Sequence, residues 1–183
     1  MGLAILTAQT WGFAWASAMT LAPFAFLETA LKTRDELGSL SLFEAEIEFA
    51  KSVLASAAEG APIFVMMDEI FHSTNAHDGV AASQLFLQKL YAFPNVSSII
   101  STHYSTLVER FQTSHPTSVL PWCMEAIEDE TTGLLTYTYK VLPGISDKSS
   151  VLEILQERGL IHDVGDAAKL LKRVRAPQSE AAK

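Results

Sequence analysis

Blocks of apolar residues with different spacings follow one another along the chain, and each block predicts a secondary-structure element. Residues 2–19 are apolar at nearly every position around a helix, which predicts a helix buried between layers, with Gly12 interrupting its second half. An apolar loop or strand is expected next. Residues 42–58 have apolar side chains at helical spacing, and Ser41 with Glu44 predicts a capping box where that helix starts. The apolar face of this helix consists of Phe43, Ile47, Ala50 and Leu54.

Two short apolar runs in the middle of the chain predict neighbouring strands. Ile63–Met67 (IFVMM) is continuously apolar and lies between a proline and two acids, which is typical of a strand buried on both faces. Residues 78–91 predict a helix, and residues 96–101 predict a second strand. A strand, a helix and a strand within about forty residues indicate a parallel βαβ unit.

The last part of the chain predicts further helices around a strand pair. Residues 104–111 predict a short helix. Residues 119–127 and 134–142 alternate well enough between apolar and polar positions for two antiparallel strands, joined by the turn sequence EDETTG. Residues 147–158 and 162–175 predict two terminal helices.

Length and composition fit one globular domain. The 183 residues are 49% hydrophobic and 19% charged, which supplies apolar material for a core and no compositional sign of disorder. We therefore expect an α/β fold over residues 1–175, with parallel strands flanked by helices plus an antiparallel strand pair. Residues 176–183 are expected to form a flexible tail.

The charge of the chain restricts its partners. A formal net charge of −8 argues against capture of DNA or anionic membranes by this chain alone, because phosphate binding rests on Lys and Arg. Any contact with DNA is expected to be indirect, through other domains. The single cysteine, Cys123, excludes an internal disulfide and fits a reducing intracellular setting. That setting would be the nucleus in a eukaryote and the cytoplasm otherwise.

The first 27 residues carry no charged side chain and are long enough to cross a bilayer. No basic residue precedes this run, since the first basic residue of the chain is Lys32. Polar residues such as Gln9 interrupt the run, and so does Pro23. We therefore expect a buried helix and no membrane partner. An apolar membrane anchor on an unrelated hydrolase is the weakest of the alternatives.

Three residues that can carry chemistry follow the two central strands. Asp68 and Glu69 end the first strand and His103 follows the second, and the carboxyl ends of parallel strands lie at one edge of a sheet. Such an Asp can hold Mg²⁺ through its shell of water, and the Glu can orient or deprotonate a water that attacks a phosphate. The His can reach a γ-phosphate beside the same water. The alternative is that the strand ends at the protein surface, where the two acids are exposed to solvent and have no catalytic role.

The order and spacing of several stretches resemble the ATPase domain of the MutS family of mismatch-repair proteins, a branch of the ABC-type ATPases. FVMMDEI resembles the Walker B strand of that family, and HSTNAHDG resembles the loop that follows it. ISTHY resembles the switch-histidine strand, SLSLFEAEI the signature segment, and VLPGISDKSSVLEI the last strand and helix. The resemblance covers nearly the whole chain and implies an incomplete P-loop NTPase domain of the ABC ATPase-like kind.

The resemblance also implies roles for individual residues. Asp68 would be the Mg²⁺-linked acid, Glu69 the catalytic carboxylate and His103 the sensor of the γ-phosphate. Ser41 would bind the γ-phosphate of a nucleotide held by a partner subunit, a role that suits a hydroxyl at a helix N-terminus. The loop that crosses the dimer interface would contain Thr74, Asn75 and Asp78. The implied cofactors are ATP and Mg²⁺.

The chain departs from the family pattern at the phosphate-binding loop. No Gly in it is followed by Lys, so the Walker A sequence G-x-x-x-x-G-K-[ST] is absent, and we expect the chain to begin just downstream of that loop. Without its amides and lysine the phosphates lose their main cradle, so we expect weak or absent nucleotide binding by this chain alone. Smaller departures are the bulky Phe71 and His72, and the few glycines near Gly38.

Two functional hypotheses remain. The first is a fragment of a MutS-like DNA mismatch-repair ATPase, in which ATP hydrolysis within a homo- or heterodimer is coupled to DNA binding by domains absent here. The second is a non-hydrolysing interaction module that docks on a complete MutS-family subunit and supplies Ser41 in trans. The resemblance gives no role to His72 or His77, and these two with Asp78 are also considered as a metal cluster.

Overall fold

The structure, a computed structural model, describes residues 1–31, 41–129, 135–146, 148 and 151–161. These residues group into two compact units, Met1–Leu107 and Val108–Lys183. The elements of the first unit are α1 (Gly2–Trp11), β1 (Phe26–Ala30), α2 (Leu42–Ala58), β2 (Ile63–Met67), α3 (Ala76–Leu90) and β3 (Val96–Ile100). Helix α4 (Ser105–Ser114) begins in the first unit and ends in the second, which also contains β4 (Trp122–Glu128), β5 (Leu135–Pro143) and α5 (Val151–Glu157).

The first unit is built on a parallel sheet with the strand order β1-β2-β3. Strand β2 lies in the centre, where Ile63 pairs with Phe26 on one side and with Val96 on the other. Four of its five residues are buried, which confirms the predicted strand covered on both faces. The predicted βαβ unit is confirmed as β2, α3 and β3. The α/β fold with helices around parallel strands is therefore confirmed.

Helix α2 packs against β1, β2 and α3 and has the predicted N-terminus. Both halves of the capping box between Ser41 and Glu44 are present. The predicted apolar face is confirmed only at Ala50, because the buried positions are rotated around the helix. The buried residues are Glu46, Ala50, Val53 and Ala57. The large side chains predicted to form this face are only half-buried, and small residues allow the helix to approach the sheet closely.

Helix α1 differs from its prediction in length and in burial. It ends at Trp11 because Gly12 adopts a left-handed conformation with φ of 72°, which closes the helix. One face packs on the sheet, and Gly2 lies so close to Met66 that a Cβ there would clash with the Met66 side chain. The opposite face is open, and Leu3 is 62% exposed. Burial on all sides is therefore wrong. No helix in the described ranges is long and apolar enough to cross a membrane.

The second unit contains the predicted antiparallel strand pair. Strands β4 and β5 pair from Trp122 opposite Pro143 to Glu128 opposite Leu135, with a register shift between Met124 and Ala126. Helix α5 agrees with part of the first predicted terminal helix. The predicted helix over residues 162–175, the predicted tail and most of the EDETTG turn lie outside the described residues.

Candidate functional site

The chain leaves the sheet at neighbouring points on β2 and β3. The amide of Asp68 donates to the carbonyl of Ala30 on β1 at 2.9 Å, and the amide of Ser101 donates to the carbonyl of Met67 on β2 at 2.9 Å. The amide of Ile70 in turn donates to the Ser101 carbonyl at 3.2 Å. The carboxyl edge of the sheet thus presents both predicted acids, and both are exposed.

Ser101 connects the two acids. Its Oγ accepts a hydrogen bond from the Glu69 amide at 2.8 Å and donates one to Asp68 Oδ1 at 2.7 Å. Because a hydroxyl has a single hydrogen, Ser101 donates that hydrogen to Asp68 and accepts from the Glu69 amide with a lone pair. Among the described residues, Asp68 Oδ2 has no hydrogen-bond partner. One oxygen of this carboxylate is therefore fixed, and the other is available to a ligand.

Glu69 combines a constrained backbone with a free side chain. Its φ is 53°, in the left-handed region that residues other than glycine rarely occupy. Its carbonyl lies 2.9 Å from Nδ1 of His72. Its carboxylate forms no hydrogen bond or ion pair with any residue in the part of the chain that the structure describes. This exposed carboxylate is adjacent in sequence to Asp68 and is available to a small ligand such as water.

A buried carboxylate from α2 holds the loop that follows these acids. Glu46 is only 8% exposed, its Oε1 lies 3.1 Å from His72 Nδ1, and its Oε2 accepts a hydrogen bond from Ser73. Tyr104 Oη donates to the carbonyl of Phe71 at 3.2 Å. Burial, followed by the negative charge of Glu46, raises the pKa of the Tyr104 phenol above its usual value. The hydroxyl therefore stays protonated and keeps this hydrogen bond at neutral pH.

A cavity of about 180 Å³ opens beside the acids. It lies at the carboxyl ends of β1 and β2 and next to α2. Its lining residues are Thr29, Ala30, Leu31, Glu46, Phe49, Met67, Asp68, Glu69 and Ile70. The space next to the predicted metal-linked acid is therefore concave and lined by both carboxylates and apolar side chains.

The remaining predicted residue of the sheet edge is His103. It follows β3 two positions after Ser101 and is exposed. Its ring lies 4.5 Å, centroid to centroid, from the ring of Tyr104. Since Tyr104 is itself buried, this contact supports the imidazole from one side and leaves it accessible to a ligand.

The other predicted residues lie at two helix N-termini. Ser41 is the N-cap of α2, its Oγ accepts from the Glu44 amide at 3.3 Å, and its own amide donates to Glu44 Oε2 at 2.8 Å. Asn75 is the N-cap of α3, where its Oδ1 accepts from the Asp78 amide at 3.0 Å and its side-chain amide donates to Asp78 Oδ2. Helix α3 therefore begins two residues earlier than the sequence predicted. All four side chains are exposed.

The metal cluster considered for His72, His77 and Asp78 is wrong. His72 pairs with Glu46, and His77 Nδ1 lies 3.8 Å from Asp78 Oδ1 on the exposed first turn of α3. Within the described ranges, no group of three or more His, Cys, Asp or Glu side chains is placed to hold a metal ion.

Sequence reasoning missed two residues that organise the site. Ser101 is the last polar residue before the Thr-His pair, and its role depends on the register between β2 and β3. Glu46 is an acid three and four residues from apolar neighbours on α2, at a position that turned out to be buried. A carboxylate on the covered face of an amphipathic helix was the available signal, because such a group requires polar partners.

Comparison with known proteins identifies the family. A family model described as MutS domain V matches residues 1–174. The chain is 30% identical over 185 residues to the DNA mismatch repair protein MutS of Lactobacillus acidophilus, covering all of this chain and 21% of that protein. The MutS protein of Thermus thermophilus is 30% identical over 98% of this chain and 21% of its own length. DNA mismatch repair protein MSH6 of Saccharomyces cerevisiae is 25% identical over 92% of this chain and 13% of its own length.

The chain spans about a fifth of the length of the bacterial relatives it matches. MutS domain V has a P-loop ATPase-like fold, in agreement with the predicted fold class. Because the family model matches almost every residue and the matched relatives cover nearly the whole chain, the chain belongs to the MutS domain V family of DNA mismatch-repair proteins.

Proposed function

We propose that this chain supplies the metal-binding and water-activating part of an ATP-hydrolysing site of the MutS type. The observation that carries the proposal is the pair of adjacent acids at the carboxyl edge of the sheet, joined through Ser101. The pairing separates their roles, since one oxygen of Asp68 is fixed while the Glu69 carboxylate has no partner in the described structure. Two acids in different environments are what metal binding and proton transfer require.

Asp68 fits a Mg²⁺ ligand by its chemistry. Mg²⁺ prefers oxygen ligands and keeps several of its waters, so one exposed carboxylate oxygen is a sufficient protein contribution when phosphates supply others. Ser101 holds Oδ1 at 2.7 Å and thereby limits rotation of the carboxylate. When bound, the ion supplies neutralisation of phosphate charge.

Glu69 fits the residue that orients and deprotonates the attacking water. In the proposed reaction the water oxygen forms a bond to the γ-phosphorus, the bond from that phosphorus to the bridging oxygen of ADP breaks, and the water proton moves to the Glu69 carboxylate. This residue is exposed at the cavity and free of any described ion pair. It can therefore approach a water without first breaking an existing contact.

The remaining site residues are proposed to contact the transferred phosphate or the partner. His103, supported by the ring of Tyr104, contacts the γ-phosphate from the tip of β3. Ser41 contacts the γ-phosphate held by a second MutS-family subunit, since an exposed helix N-terminus attracts anions. Asn75 and Asp78 lie at the interface with that subunit, where they also stabilise the start of α3.

The phosphate cradle is proposed to come from residues outside this sequence. None of the nine glycines in the 183 residues is followed by Lys, so the chain itself offers no Walker A loop. DNA binding is likewise assigned to other domains, because this chain carries a net charge of −8. The exposed Ser41 also supports the alternative of a module that completes the site of another subunit without hydrolysing ATP itself.

A chimaera tests the main proposal. This chain replaces the matched fifth of the Thermus thermophilus MutS protein, and Mg²⁺-dependent ATP hydrolysis is measured. Glu69→Gln should lower kcat by about 10²-fold or more, since a positioned general base contributes on that order. Asp68→Asn should raise the Mg²⁺ concentration needed for half-maximal activity. Glu59→Gln, at the far end of α2, is the matched control and should leave both values unchanged.

The outcomes separate the two hypotheses. Equal hydrolysis by the Glu69→Gln chimaera and its parent would refute the assigned water activation. The isolated 183-residue chain should not bind Mg²⁺-ATP. Binding that Asp68→Ala abolishes would contradict the proposal that the phosphate cradle comes from residues outside this sequence. Stimulation of a complete MutS subunit by the added chain, lost in Ser41→Ala, would instead support the interaction module.

A further inference from the structure

Glu69 has a backbone conformation that its own residue type disfavours. At a φ of 53° the Cβ of an L-residue crowds the neighbouring peptide, at a cost on the order of 1–2 kcal/mol. Such a conformation persists only where surrounding contacts hold it. Here both peptide groups of the residue are held by side chains, one that follows β3 and one from the same loop.

The first contact comes from the end of β3. The Glu69 amide donates to Ser101 Oγ at 2.8 Å, and the Ser101 backbone is itself paired with β2 through Met67. This contact fixes the peptide that enters Glu69. Because Ser101 is anchored in the parallel sheet, the position of its hydroxyl is set by the strand register.

The second contact comes from His72. Its Nδ1 lies 2.9 Å from the Glu69 carbonyl and 3.1 Å from Glu46 Oε1. The carbonyl is a hydrogen-bond acceptor, so Nδ1 carries a hydrogen that it donates to Glu69, and the Glu46 carboxylate lies beside the same nitrogen. This contact fixes the peptide that leaves Glu69.

Glu46 provides the anchor for His72. Its carboxylate is on the covered face of α2, and Ser73 donates to the oxygen that His72 does not contact. A buried carboxylate is stable only with such partners, so the three side chains constrain one another. The loop after β2 is thereby tied to α2 as well as to the sheet.

We propose that Ser101, His72 and Glu46 form a clamp that holds Glu69 in its left-handed conformation and so directs its carboxylate. We call these three the Glu69 clamp. They act as positioning residues, because each contacts the backbone of Glu69 or the residue that does so. The conformational part stands on the geometry alone, and the consequence for hydrolysis rests on the proposed function. The clamp gives His72 a role that no motif assigned to it.

The conformational part is tested by NMR on the 183-residue chain. The HN–Hα coupling and the ¹³C shifts of Glu69 report its φ, and solvent exchange of its amide reports the bond to Ser101. Ser101→Ala should accelerate that exchange by about tenfold, the effect of losing one hydrogen bond. His72→Phe should move the coupling and shifts toward those of a residue with negative φ. The double variant should show the larger change.

Two matched variants serve as controls. Ser97→Ala removes an exposed hydroxyl from β3, the strand that Ser101 follows, and His77→Phe changes an exposed histidine in the first turn of α3. If the clamp variants leave the Glu69 exchange rate and coupling at the values of these controls, while the Val65 amide remains protected, the clamp is refuted. His72→Ala and the exposed Ser101→Ala carry the test if His72→Phe fails to fold.

The catalytic part uses the chimaera described above. The clamp variants should lower kcat with little change in KM for ATP, and His72→Gln, which keeps a donor, should recover part of the loss. If Glu69→Gln has no effect on hydrolysis, the proposed function fails while the NMR result still decides the clamp. If Glu69→Gln abolishes hydrolysis but the clamp variants retain the parental kcat, the positioning role is overturned.

Discussion

The N-termini of α2 and α3 have nearly the same local structure and very different surroundings. Ser41 and Asn75 cap them with φ and ψ of −65° and 154°, and of −64° and 153°, and each cap has an acid three residues later. The fourth residue of α2 is Ala45, which is half-buried. The fourth residue of α3 is Gly79, which is buried so closely that a Cβ would lie 2.6 Å from the carbonyl oxygen of Phe71.

The difference separates a helix end whose backbone is closely packed, that of α3, from one whose backbone is less closely packed, that of α2, while the capping side chains of both are exposed. Capping residues satisfy the free amides of either helix, so the local sequence alone does not distinguish them. The α3 end is fixed by packing against Phe71 and Tyr104. The α2 end keeps Ser41 exposed, as the proposed contact with a partner's nucleotide needs, but its amide and hydroxyl both donate to Glu44 Oε2, which a phosphate would have to displace.

The largest expected effect comes from Phe71, which the two ends share. Its ring lies 6.1 Å from that of Phe43 in the first turn of α2 and 6.0 Å from that of Phe86 in α3. Phe71→Ala should lower the free energy of unfolding by about 3 kcal/mol, as for other buried aromatics. Chemical denaturation followed by circular dichroism measures this loss.

Amide exchange shows whether the loss is shared. The first turns of both α2 and α3 should exchange faster in Phe71→Ala, and Phe93→Ala, at a half-buried ring beyond α3, should affect neither as much. Faster exchange in α3 alone would mean that Phe71 stabilises the N-terminus of α3 and not that of α2. The two helix ends would then differ more than their structures indicate.

Most of the fold was predictable because its signals are local. The continuous apolar run of β2, the capping box of α2 and the βαβ order follow from periodicity and cap chemistry, and the structure confirms them. The length of α1 was not recovered, because its apolar pattern continues past Gly12 although the backbone turns there. The covered face of α2 was recovered only at Ala50, since Val53, Ala57 and Glu46 are buried in place of the larger Phe43, Ile47 and Leu54.

The organisation of the site was less predictable because it depends on tertiary register. The edge position of Asp68 and Glu69 follows from strand order alone. The bond from Ser101 requires β2 and β3 to pair in one register, and the contact from Glu46 requires α2 to rotate its acid inward. Neither condition is encoded by residue spacing near the acids. The resemblance to a family supplied roles for the acids and none for Ser101, Glu46 or His72.

A smaller effect is expected from exchanging the fourth residues of the two helices. Gly79→Ala should cost about 2 kcal/mol, since overpacking outweighs the gain in helix propensity and a backbone oxygen cannot move as easily as a side chain. Ala45→Gly should cost about 1 kcal/mol through propensity alone. Denaturation of both variants measures the difference. Equal losses would indicate that α3 relaxes around the new methyl group and is no tighter than α2.

The caps themselves should contribute less. Ser41→Ala and Asn75→Ala should each cost about 1 kcal/mol, the usual loss for a side-chain N-cap. The exchange of amides distinguishes them, because loss of the Asn75 cap should also perturb Gly79 and the Tyr104 hydroxyl packed against it. In Ser41→Ala, faster amide exchange should be confined to the first turn of α2. Spread of the Ser41→Ala effect to the sheet would contradict the independence of that end.

The smallest expected effect is a dependence on pH that belongs to the α2 end. Hydrogen bonds from the Ser41 amide and then from its hydroxyl lower the pKa of Glu44 below its ordinary value of 4.5. Because the folded pKa is lowered, the stabilisation is present above the unfolded value and is lost as pH falls through the folded one. Denaturation between pH 5 and 3 should therefore lose less stability in Glu44→Gln than in the parent, with Glu59→Gln reporting the removal of one charge elsewhere on α2. Equal slopes in Glu44→Gln and the parent would show that the Glu44 carboxylate does not close the cap in solution, leaving the α2 N-terminus open to a phosphate without displacement of a competing anion.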